Sequence, residues 1–124
     1  MNIAIWALQI LAGLAFLAAG IMKSTQPITS LAKQMTWVTV VPPWMVRFIG
    51  VAELLGGIGL ILPAATGVWP WLTPVAAVAL AVVMLLAAGF HVRRSDTFDK
   101  TSASLVLLVL TVIIALGRFV VSPL

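Results

Sequence analysis

Charge is scarce in this chain. Asp and Glu number three, Lys and Arg seven, and charged residues make up 8% of 124. A soluble domain carries about 25% charged residues, and so few leave no means of covering a water-facing surface. With 63% hydrophobic residues and a mean hydropathy of +1.23, the chain reads as an integral membrane protein. Cysteine is absent, which excludes disulfides, thiolate metal sites and a dithiol redox relay. The single histidine, His91, has only Asp96 and Asp99 near it in sequence. A catalytic metal takes about three protein ligands, so no metal site is expected. No glycine-rich phosphate loop, nucleophile elbow or haem-ligating His pair is found.

The net charge of +4 belongs to residues flanking apolar stretches. It carries topology information and is no nucleic-acid footprint. The opening residues, Met1 to Trp6, include no Lys or Arg. They lack the basic region of a cleaved secretory signal, and the first apolar stretch is expected to stay in the mature protein.

Four stretches are long enough to cross a hydrocarbon core of about 30 Å, which takes about 20 helical residues. They cover residues 2–22, 43–62, 72–91 and 103–120. Backbone groups cannot go unpaired in lipid, and the strand alternation of a membrane barrel is missing, so these are helices. The expected fold is an all-α membrane protein, a single four-transmembrane-helix domain over 1–124. Pro43 suits the first turn of the second helix, Pro63 is expected to close it, and Trp37, Trp44, Trp69 and Trp71 fall at span ends. In the first loop, Ile28, Leu31, Ala32 and Met35 follow helical spacing after Pro27. They predict a short interfacial helix over 27–36, with Lys33 on its polar face. Small residues at helix-contact spacing, Ala15 with Ala19, Ala52 with Gly56, and Ala77 with Ala81, imply close packing.

One acid, Glu53, lies in the second apolar stretch. An ionisable group at bilayer depth costs at least about 2.5 kcal/mol on insertion scales, so it faces the bundle interior and takes a partner. Gly50, Glu53 and Gly57 share one helix face, about nine residues or roughly 13 Å from either end for Glu53. Arg118, near the outer end of the fourth helix, is the expected partner, because helical side chains lean toward the N-terminus. Gln9 on the first helix completes this expected cluster. It reads either as an ion pair fixing helix register or as the polar end of a ligand pocket. A second set, Lys23, Arg47 and His91, rims the opposite mouth. There the readings are headgroup anchoring or an anion site, and for Lys33, Arg93 and Arg94 headgroup anchoring alone.

Lys23, Lys33, Arg47, Arg93, Arg94 and Lys100 flank the first and third loops, against Arg118 alone on the other side. The positive-inside rule then sets both termini in the periplasm of a bacterial cytoplasmic membrane.

Phe16 to Lys23, Arg47 to Gly56, Leu60 to Pro63, His91 to Arg94 and Gly117 to Phe119 resemble the DoxX-like family of small four-helix bacterial membrane proteins. The resemblance spans nearly the whole chain and is most specific in the Arg47-x5-Glu53 segment. It implies the four-helix fold and a link to membrane redox chemistry, since named members serve a thiosulfate:quinone oxidoreductase and oxidative-stress complexes. It transfers no catalytic residue.

Covalent catalysis needs a nucleophile beside an oriented base, and Glu53 has no Ser, Thr or Cys within a turn of its own helix. The expected function is a membrane accessory or apolar-ligand-binding subunit with no activity alone. Its partners would be the bilayer, a quinone or lipid guest, and a membrane or redox protein or a second copy. A proton-coupled exporter centred on Glu53 and a membrane scaffold are the alternatives.

Overall fold

The computed structural model describes residues 2–33, 36–93 and 98–123, the side chains of 36–37 and 98–101 aside. Four long helices form an up-and-down bundle: α1 (Asn2–Thr25), α3 (Pro43–Thr66), α4 (Leu72–Arg93) and α5 (Phe98–Leu116), which continues as a π-helical turn over Gly117–Val121. Each is long and apolar enough to cross a membrane. A one-turn helix, α2 (Ile28–Leu31), and a 3-10 turn (Thr36–Thr39) lie in the first loop. The loop helix is shorter than the 27–36 segment expected, and Gln34 and Met35 fall outside the described residues. Leu31, Val38 and Val46 pack together with Met22, Ile28 and Val41 beside them, so the loop's apolar residues close over the start of α3.

Pro63 does not end its helix; α3 runs on to Thr66 and stops at Gly67, in the left-handed region with φ 71°. Proline lacks the N–H that would bond the carbonyl four residues earlier. That carbonyl, Gly59 O, instead accepts the Thr73 hydroxyl from α4 at 2.9 Å. Threonine is a common means of satisfying a proline-freed carbonyl in a transmembrane helix. The local sequence thereby ties α3 to α4.

In lipid there is no hydrophobic drive between helices, and close packing of small residues holds them together. The closest approach is between α1 and α3. A Cβ on Gly20 would lie 2.5 Å from Leu54 N, and one on Gly50 would lie 2.6 Å from Ser24 N. Gly57 meets Gly13 O in the same way, at 2.9 Å. Ala15 is exposed, and these glycines make the contact in its place. Gly56 faces Leu80 of α4, as the small-residue pattern suggests. The apolar core runs through Phe16, Leu60, Leu80, Met84 and Ile114.

Gly20→Ala should therefore force backbone against backbone and lower stability by about 1–3 kcal/mol. Gly89→Ala, where nothing lies within 4 Å, should be neutral or stabilising. Thermal unfolding of both variants in detergent micelles reads the difference.

Candidate functional site

The glycine contact sets the level of the candidate site. A Cβ on Gly50 would come within 2.7 Å of the Lys23 carbonyl carbon, so Lys23 enters α1's last turns opposite Gly50. Glu53 lies three residues deeper on α3, about 4.5 Å along the axis. Side chains lean toward the N-terminus of their own helix. In this antiparallel pair Lys23 leans into the bundle and Glu53 leans out to meet it. Lys23 Nζ lies 2.7 Å from Glu53 Oε1, with the two side chains 13% and 2% exposed. Arg47 fixes the same end of α1 by donating from Nη1 to Lys23 O at 3.0 Å and to Gln26 O at 2.5 Å. These are carbonyls that a helix C-terminus leaves without intrahelical partners.

The pair borders a cavity of about 510 Å³ between the α1–α3 and α4–α5 pairs. Its polar lining is Lys23, Glu53, His91 and Ser104; the remaining walls are apolar, Met45, Phe48, Met84 and Phe90 among them. His91 is buried and its ring stands edge-on to Phe90 at 5.9 Å. Among the expected mouth residues, Lys23 and His91 thus share the cavity, and Arg47 supports Lys23 from behind.

The expected Glu53–Arg118 pair does not form. Arg118 turns toward the opposite end of the bundle, donating from Nε to Gln9 Oε1 at 2.5 Å and from Nη1 to Asn2 Oδ1 at 2.7 Å and Ser122 O at 3.1 Å. Its guanidinium carbon stands 5.5 Å from the Trp6 ring centroid. Gln9 bridges onward, donating from Nε2 to Leu60 O at 2.7 Å. The expected trio is therefore split: Gln9 and Arg118 meet, and Glu53 belongs to Lys23. Asn2 and Lys23 stand at opposite ends of α1, about 30 Å apart at about 1.5 Å per residue. A long cation near a helix end reaches outward to polar surroundings rather than inward through lipid-facing packing. The π-helical turn at Gly117–Val121, closed by Ser122 N donating to Gly117 O at 2.7 Å, carries Arg118 into that cluster. Sequence reasoning named Lys23 but assigned it to the mouth, and missed Asn2, Trp6 and Ser122.

The model of the DoxX-like family matches residues 7–114. The chain belongs to the DoxX-like family. No curated protein and no solved structure matches it. The matched DoxX-like span contains Gln9, Lys23, Arg47, Glu53 and His91, whereas Asn2 and Arg118 lie beyond it.

Removing one partner of a buried ion pair typically costs about 3–5 kcal/mol, because the other charge is left uncompensated. Lys23→Met and Glu53→Gln should each destabilise the detergent-solubilised protein on that scale, with the double variant losing clearly less than the sum. Glu53→Gln combined with Arg118→Gln should instead be additive within about 0.5 kcal/mol. Denaturant titration of the wild type, the three single variants and both doubles measures these couplings.

Proposed function

We propose that this DoxX-like protein is an accessory subunit of the bacterial cytoplasmic membrane that holds a small apolar guest with a polar head, a quinone or a lipid, in the cavity at Glu53. The observation that carries this reading is the conjunction of cavity and ion pair: about 510 Å³ of mostly apolar space ending on Lys23, Glu53, His91 and Ser104. Ligand sites have this design, an apolar slot of roughly 300–1,000 Å³ with few, convergent polar groups. Lys23 Nζ is a donor for a quinone carbonyl, and Glu53 accepts from a hydroxyl. Phe48 and Leu86 line the cavity and are each 68% exposed. Both therefore face the bilayer as well, which favours entry of an apolar guest sideways from the membrane. Function then runs through the guest together with a membrane or redox protein partner, or a second copy of the chain.

The same reading sets both termini in the periplasm. The bundle brings the ends of α1 and α4 and the starts of α3 and α5 to one side, and among the described residues that side carries Lys23, Lys33, Arg47, Arg93 and Lys100. Positive charge favours the cytoplasm. A phosphatase fusion after Leu124 is expected to be active and a fluorescent-protein fusion dark; the opposite pattern would reverse the orientation.

The guest is tested by native mass spectrometry of protein purified from quinone-containing membranes. Ala103, exposed and on the cavity wall, becomes an obstruction as Ala103→Trp. This variant should lose co-purifying quinone or lipid that the wild type retains, while Ala79→Trp, on the exposed face of α4, should keep it. Equal retention by both variants, or none by the wild type, contradicts a guest in this cavity.

A further inference from the structure

At the end of the bundle opposite the cavity, Arg118 is 2% exposed, and its Nη2 is buried without a hydrogen-bond partner among the described residues. Its contacts are the neutral Gln9, Asn2 and Ser122 groups and the Trp6 face. None of them balances its charge. A buried cation without an opposite charge is costly, and among the described residues Arg118 forms no salt bridge. Of three acids, Glu53 is bound to Lys23, Asp99 stands in the first turn of α5 at the other end of the bundle, and Asp96 lies outside the described residues.

Arg118 also sits where a negative charge is favoured on independent grounds. Through Nη1 it is bonded to Asn2, the first residue of the 24-residue helix α1, whose first turn contains no acid. A helix start presents N–H groups without intrahelical acceptors and the positive end of the macrodipole. Because Asn2 Oδ1 accepts from Arg118, the Asn2 amide nitrogen is one more donor at the same place. Trp6, one turn on, is a residue type that favours the headgroup layer.

We propose that the start of α1 and Arg118 together bind a phosphate-type oxyanion, with Arg118 Nη2, the Asn2 amide and the first N–H groups of α1 as donors. Such donor sets at helix starts suit tetrahedral oxyanions, and a guanidinium bonds phosphate with particular strength. The phosphodiester of an anionic phospholipid and free inorganic phosphate share this chemistry. The site is separate from the guest cavity, and its test does not depend on that cavity being occupied.

Full-length protein in detergent would be titrated with phosphatidylglycerol and with a diacylglycerol of the same acyl chains, and bound lipid read by native mass spectrometry. Wild type should hold one phosphatidylglycerol roughly tenfold more tightly than the diacylglycerol, the scale of one charge-assisted hydrogen bond. Asn2→Asp supplies an internal carboxylate to Arg118 and to the start of α1. It should erase that preference while keeping the unfolding temperature at or above wild type. Displacement of the bound lipid by millimolar inorganic phosphate would assign the site to the free anion, and retention would assign it to the lipid. A wild-type protein with no preference for phosphatidylglycerol, or an unchanged preference in Asn2→Asp, would overturn the proposal.

Discussion

The structure depends on the ion pair between Lys23 and Glu53, 2.7 Å apart in the bundle interior. A lone carboxylate at bilayer depth is too costly to leave exposed to hydrocarbon, and a lone ammonium is equally so. Their meeting requires α1 and α3 to approach more closely than ordinary side chains allow. Gly20 and Gly50 supply that approach, since any Cβ there would overlap the neighbouring backbone. Antiparallel direction does the rest, because both side chains lean toward their own helix starts and so toward each other.

From this pair the bundle acquires two unlike ends. At one, Arg118, Gln9 and Asn2 join α5 to α1, Gln9 joins α1 to α3 through Leu60 O, and Thr73 joins α4 to α3 through Gly59 O. Polar groups thus link all four helices there. At the other end the α1–α3 and α4–α5 pairs stand apart around a cavity of about 510 Å³. Hydrogen bonds in an apolar surrounding resist being broken, since the freed groups find no water. The tied end is therefore the more strongly cross-linked one, and the cavity lies at the other.

The four helices were legible because lipid leaves the backbone no alternative and the apolar runs have the length a bilayer demands. Glu53 was legible as the odd residue in such a run. Its partner was not, because pairing depends on the relative level of two helices. That level is set by glycine contacts whose matching across helices no single stretch of sequence reveals. The leaning argument that suggested Arg118 applies more strongly to Lys23, which starts about one turn from Glu53. For Arg118, the local π-helical turn and the pull of polar groups at the bundle end outweighed the average helical direction. Pro63 misled in a related way: its missing N–H is offset by Thr73, a residue on another helix.

Glu53 is the chain's single glutamate and Lys23 one of three lysines, which makes the pair directly observable. Protein labelled with 13Cδ-glutamate and 15Nζ-lysine, reconstituted in lipid, gives one carboxyl carbon whose dipolar coupling to lysine nitrogen reports the contact by solid-state NMR. A carbon–nitrogen distance within about 4 Å, as hydrogen-bond geometry requires, lost in Lys23→Met and kept in Arg118→Gln, is the result expected. A carboxyl carbon with no coupled lysine nitrogen would contradict the account at its centre.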